Sequence, residues 1–133
     1  MAEPRRLVVA GLVRRGDTVL AAQRAHPAEL AGLWEFPGGK VEPDEEPRSA
    51  LVRELREELG CEITVGEELL GPDQGVWPIN ERLCLRAWWC EEPLQEPEAL
   101  EHAALRWVAN ADEVEWLPAD VAIARAVFAA VLS

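Results

Sequence analysis

Three glutamates set the chemistry this chain could do. Glu54, Glu57 and Glu58 stand at i, i+3 and i+4, the spacing that brings side chains to one face of a helix. Three carboxylates so placed repel one another unless a counter-ion joins them. Hard divalent cations with oxygen ligands remove that repulsion, and Mg2+ is commonly held by carboxylates together with substrate phosphates. Taken alone, the run would read as a solvated acidic face. The residues before it change that reading. Phe36-Pro37-Gly38-Gly39-Lys40 places paired glycines beside the chain's only lysine. Glycine backbone can approach a phosphate or an ion closely. Lys40 suits a phosphate contact, or is an ordinary surface lysine.

These groups need a helix to hold them, and the sequence marks its ends. Pro47 suits a first helical turn, where its missing N–H has no partner to lose. Asp44, Glu45 and Glu46 put negative charge at the N-terminal end, where the dipole favours it, and Gly60 stands where a left-handed C-cap is expected. Leu51, Val52, Leu55 and Leu59 fall on one apolar stripe, with the three glutamates expected on a second face beside it. Elsewhere, strands are expected over 7–13 and 18–24 around the turn Arg15-Gly16-Asp17. Further strands are expected over 62–70, 82–90 and 104–108, and a closing helix over 118–132. The segment 34–36 enters the glycine loop, and 71–78 and 91–98 read as loops. Strands, a helix, more strands and a terminal helix predict an α/β fold in layers, as one domain over 1–133.

Residues 39–61 fit the pattern G-x5-E-x7-R-E-U-x-E-E-x-G-U, U being apolar, through Gly39, Glu45, Arg53, Glu54, Leu55, Glu57, Glu58, Gly60 and Cys61. This resembles the Nudix box, the signature of enzymes that hydrolyse nucleoside diphosphates linked to another group. Nearly the whole chain is similar to the MutT-type branch of that family. Leu33-Trp34-Glu35-Phe36-Pro37-Gly38-Gly39-Lys40, the aromatic strand around Leu83 to Trp89, and Trp116-Leu117-Pro118-Ala119-Asp120 carry the likeness with the box.

The resemblance implies a Nudix fold, an α/β/α sandwich with a mixed sheet. It implies metal-dependent hydrolysis of a nucleoside triphosphate, normal, oxidised or modified, to the monophosphate and pyrophosphate. Oxidised guanine (8-oxo-dGTP) and cytidine triphosphates are the candidate substrates. ADP-ribose or a dinucleotide polyphosphate is the alternative within the family, and a non-catalytic nucleotide-binding module the alternative outside enzymes. By position, Glu54, Glu57 and Glu58 would hold Mg2+ or Mn2+ and carry catalysis, with Glu54 orienting or deprotonating the attacking water. The Gly38 carbonyl would be a further metal ligand. Glu101 would be an acidic ligand outside the box, with Glu98 its rival. Arg24, Lys40, Trp34 and Asp120 would touch substrate; Glu45 and Arg53 would be scaffold. Asp120 stands where the guanine-type enzyme has Asn. An ionised Asp only accepts, which suits an exocyclic amine, whereas a protonated one also donates. Its other reading is a charge at the start of the closing helix.

Composition bounds the partners. With 25 acidic and 13 basic side chains among 133 residues, the formal charge is −12. That argues against a nucleic-acid polymer, whose binding depends on basic surface. A small polyphosphate would be repelled too, unless bound metal reverses the local field. No stretch has transmembrane length and no export signal is apparent. Cys61, Cys84 and Cys90 are odd in number and lack metal-ligand spacing. They read as reduced thiols in a cytoplasmic protein.

Overall fold

The computed structural model describes residues 4–132. The strands are β1 (Arg6–Arg15), β2 (Thr18–Gln23), β3 (Trp34–Glu35), β4 (Gly38–Lys40), β5 (Val65–Leu69), β6 (Trp77–Pro78), β7 (Leu83–Cys90) and β8 (Ala104–Val108). The helices are α1 (Pro47–Leu59) and α2 (Pro118–Val131), with a 3-10 turn at Ala111–Glu113 between β8 and α2.

Strand β1 organises the sheet. It runs parallel to β7 from Arg6↔Leu83 to Val13↔Cys90, antiparallel to β4 from Val8↔Lys40 to Ala10↔Gly38, and antiparallel to β2 only at Arg14 and Arg15. The sheet is therefore mixed. Its main path is β3-β2-β1-β7-β5, with β8 on β2 and β6 on β7. Alternate residues of a strand face opposite sides, and β1 shows it. Val9 and Val13 pack with Leu51, Leu55 and Leu59 of α1, whereas Ala10 and Leu12 pack with Ile123, Val127 and Phe128 of α2. One helix covers each face, giving the expected α/β/α sandwich. No helix among the described residues is long and apolar enough to cross a membrane.

The ends of α1 lie where the sequence puts them. Glu46 caps the first turn by accepting from the Ser49 N–H at 3.1 Å, and Gly60 closes the helix at φ 71°. The expected helix face is corrected in one respect. Glu58 is only 5 % exposed and belongs with Leu51 and Leu55 on the buried side, while Val52 sits on the shoulder. The reason is the period: seven residues separate Leu51 from Glu58, two helical turns on the same stripe.

Two short strands replace what reads as loop. The segment 38–40 is β4, pressed against β1 so closely that a Cβ on Gly38 would fall on the Val9 carbonyl oxygen. A Cβ on Gly39 would run into the Glu54 carboxyl. Paired glycines are thus required by the packing of the loop between β1 and α1, as well as by any ligand. Within 71–78, Trp77 and Pro78 pair with β7, and the Trp77 indole donates to the Leu69 carbonyl at 3.0 Å.

Leu55 joins these layers, being fully buried against the β1 backbone beside Glu54. Leu55→Ala is expected to lower stability by about 2–5 kcal/mol, the range for emptying a core leucine site. Urea unfolding measures it; a loss below about 1 kcal/mol would show that α1 is not anchored there.

Candidate active site

The start of α1 is locked by one arginine. Arg53 donates to both Glu45 carboxylate oxygens at 2.8 and 2.9 Å, to Glu54 at 3.0 Å, to Glu57 at 3.4 Å and to the Lys40 carbonyl at 3.2 Å. A guanidinium suits this, having five donors in a planar fork. Arg53, helped by the Glu42 N–H, holds the Glu45 carboxyl down at about 2. Asp44, in the turn before it, takes a left-handed φ of 64°, which a short polar side chain tolerates.

The three box glutamates meet three environments. Glu57 is exposed and leans on Arg53. Glu54 is partly buried, and its carboxyl is pushed up by burial; Arg53 opposes this and the Glu57 and Glu101 charges add to it. Glu58 is buried deeply. Burial, then the charges of Glu54, Glu35 and Glu101, push it up to about 9, and the Gly38 N–H pulls the other way. Its Oε2 is buried with no hydrogen-bond partner. Among the described residues, no three His, Cys, Asp or Glu side chains already converge as a metal cage. Arg53 stands where a cation could: it draws Glu54 and Glu57 towards itself.

Two cavities adjoin this helix face. A cleft of about 380 Å3 runs from Gly38, Gly39 and Lys40 along Val8 and Ala10 to Leu85, Leu117 and Asp120, with Arg24 and Leu30 on its wall. A second, of about 450 Å3, is lined by Arg24, His26, Glu35, Glu58, Glu101 and His102. Arg24 and Glu35 belong to both. Arg24, Lys40, Gly38 and Asp120 therefore reach the cleft, and Glu58 and Glu101 the cavity beside it. Glu98 lies by Leu59, its N–H donating to that carbonyl, and its charge acts on Cys61 rather than on the box.

Trp34 is not brought to the cleft. The cleft lining does not include it, and its indole packs partly buried against the α2-side core. Asp120 has a structural partner. In the first turn of α2 and 4 % exposed, it accepts from the Phe36 N–H at 3.0 Å and ties α2 to the glycine loop. Burial pushes its carboxyl up to about 7, with the Phe36 N–H opposing.

A family profile described as NUDIX domain matches residues 4–131. The chain belongs to the Nudix family. It is 49 % identical over 119 residues to a Mycobacterium tuberculosis (strain CDC 1551 / Oshkosh) protein named "Putative 8-oxo-dGTP diphosphatase 2", covering 86 % of this chain and 82 % of that one. It is 44 % identical over 124 residues to the CTP pyrophosphohydrolase of Escherichia coli (strain K12), covering 92 % and 90 %. The solution structure of the E. coli ORF135 protein superposes with a TM-score of 0.81 at 41 % identity, over 97 % of this chain and 91 % of that one. The chain is thus a Nudix hydrolase of the MutT type, in a family that is generally dependent on a divalent metal.

The residues fit such an ion. The Glu58 Oε2 is buried with no partner, and burial, then the charges of Glu54, Glu35 and Glu101, make that carboxyl costly to ionise unless a cation joins it. Glu54 and Glu58, one turn apart, and the Gly38 carbonyl are the groups best placed to share it, with Glu101 across the second cavity.

Two residues of this Nudix site carry no role in the sequence reading. Glu35 pairs with His102 Nε2 at 2.9 Å and accepts from the Arg24 guanidinium at 3.4 Å. The pairing spans 67 positions, which no local pattern reveals. Glu35 sits inside the Leu33–Lys40 segment that resembles the family, and His102 directly follows Glu101.

The Asp120 environment has a consequence for stability. Its ordinary value of 3.8 applies to the unfolded chain and about 7 to the folded one. The folded state therefore holds its proton longer; the Asp120 contribution to stability is fully present below about pH 4, falls as pH rises towards 7 and is then flat. Asp120→Asn keeps an oxygen for Phe36 and removes the titration. The Tm of the Asn variant relative to wild type is expected to be highest above pH 7 and to shrink as pH drops to about 4. A difference constant with pH would show that Asp120 is not buried as described.

Proposed function

We propose that this protein is a metal-dependent nucleoside triphosphate pyrophosphohydrolase, releasing the nucleoside monophosphate and pyrophosphate, with nucleotide-pool sanitation as its purpose. The observation that carries the reading is the shared wall of the site. The buried Glu58 with Glu101 lines one cavity, the glycine strand ending in Lys40 and Asp120 line the cleft beside it, and Arg24 and Glu35 join the two. Phosphates at one end and a base at the other fit that order. The charges of the wider surface are hostile to phosphate, so local cations must dominate.

A bound Mg2+ or Mn2+ supplies neutralisation of phosphate charge and a lowered pKa for water. The chain's residues do the rest. Glu54, Glu57, Glu58 and Glu101 with the Gly38 carbonyl would hold the ion. Glu54, made more basic by burial, orients and deprotonates the attacking water. Lys40 and Arg24 offset charge on the outer phosphates. The apolar wall of Ala10, Phe36, Leu85 and Leu117 excludes water from the base.

Asp120 reads the base. Near neutral pH a carboxyl with a value of about 7 populates both forms. The ionised form accepts from an exocyclic amine, the protonated one donates to a carbonyl. One residue can thus serve both a cytosine and an oxidised guanine, the bases in the names of the two relatives. Three buried free thiols, Cys61, Cys84 and Cys90, suit work in the reducing cytoplasm.

A panel of CTP, dCTP, dGTP, 8-oxo-dGTP and ADP-ribose with Mg2+ tests the reading. Pyrophosphate and monophosphate are expected from the triphosphates, and excess chelator is expected to abolish their release. Orthophosphate as the product, or turnover confined to ADP-ribose, would contradict it. Glu54→Gln is expected to lower kcat by about a hundredfold to ten-thousandfold with KM little changed. A variant within a few-fold of wild type would move the catalytic burden off Glu54.

A further inference from the structure

The mechanism above leaves one buried titratable group unused. The His102 side chain is only 6 % exposed, and its Nε2 faces two carboxylates: Glu35 Oε2 at 2.9 Å and Glu58 Oε1 at 3.9 Å. Only the Glu35 oxygen is at hydrogen-bond distance, and an Nε2–H is the form that suits a carboxylate acceptor, since a bare ring nitrogen would set lone pair against lone pair. The Nε2–H therefore points at Glu35 with Glu58 at its flank. Among the described residues only two buried side-chain polar atoms lack a partner, Glu58 Oε2 and His102 Nδ1. Both belong to residues lining the cavity that Arg24 and Glu101 share. Polar atoms so buried are rarely left alone without a functional reason.

We propose that His102 is a positioning residue for the metal face. It keeps Glu58 Oε1 turned towards the imidazole, so that Oε2 is the oxygen presented to the divalent ion. It also links that carboxylate through Glu35 to Arg24, which lines the substrate cleft. The sequence places His102 next to Glu101, so one short segment delivers a candidate ligand and the group that orients another. Partners that orient a metal ligand from behind typically contribute ten- to a hundredfold in affinity. This inference rests on the metal-dependent reading of the same site and goes beyond it, since no ligand role is given to His102 itself.

The test reads Mn2+ binding to the full chain without nucleotide, by the loss of the free Mn2+ electron paramagnetic resonance signal. His102→Leu removes the donor and keeps the bulk; it is expected to weaken Mn2+ binding ten- to a hundredfold with circular dichroism unchanged. His102→Gln keeps an N–H at similar reach and is expected to restore binding to within a few-fold of wild type. If His102→Leu does not fold, His102→Asn replaces it: its amide is too short to span both carboxylates, and the same weakening is expected. Wild-type affinity in a folded Leu or Asn variant would overturn the role of His102 while leaving the metal reading intact. A wild type that binds no Mn2+ would overturn both.

Discussion

One guanidinium holds the active edge of this molecule together. Arg53 spends its donors on Glu45, Glu54, Glu57 and the Lys40 carbonyl. It thereby fixes the turn before α1, the glycine strand and the catalytic face of the helix to one point. A chain of charge −12 cannot gather carboxylates on one helix without such a counter-charge. A surface pair would contribute little, but Arg53 is largely enclosed and answers several carboxylates at once. Arg53 holds Glu45 through two hydrogen bonds and draws Glu54 and Glu57 to the same point.

Burial then differentiates groups of the same chemistry. Glu57, Glu54 and Glu58 lie within five residues, yet they run from exposed, through half-enclosed, to nearly sealed. Desolvation disfavours the charged form, so burial pushes the Glu54 carboxyl up and the deeper Glu58 up to about 9, and Glu58 has most to gain from a cation. Asp120 shows the same effect at the other end of the cleft. There a proton rather than a metal relieves it, and the carboxyl becomes both donor and acceptor. The sheet keeps the two ends apart: β1 sends alternate side chains to α1 and α2, and the Glu58 cavity and the Asp120 cleft share only Arg24 and Glu35.

What was legible in the sequence is what depends on local chemistry. Pro47 and Gly60 bound α1 because caps are set by one or two residues. The hairpin of β1 and β2, the aromatic strand β7 and the closing helix follow from turn signals and alternation. The strands at 34–35 and 38–40 did not, because nothing in a two- or three-residue segment signals pairing; β4 exists through the close approach that Gly38 permits to β1. Of the site, the resemblance indicated Arg24, Lys40, Gly38 and Asp120, which line the cleft. Trp34 lies outside the lining of that cleft, packed on the α2-side core. The depth of Glu58 followed from its spacing with Leu51 but was hidden by its charge. Glu35 and His102 could not be paired, since their contact is made by tertiary packing alone.

The central claim is that the carboxylate face of α1 is completed by a divalent ion in the folded protein. Thermal unfolding without nucleotide tests it most directly, comparing Mg2+ with NaCl of equal ionic strength. A ligand that binds only the folded state raises Tm in proportion to its occupancy, whereas salt alone merely screens surface charge. The account predicts a saturable rise in Tm with Mg2+ beyond the NaCl control, and loss of that excess in Glu58→Gln. Equal shifts in Mg2+ and NaCl, or an excess that survives in Glu58→Gln, would contradict it.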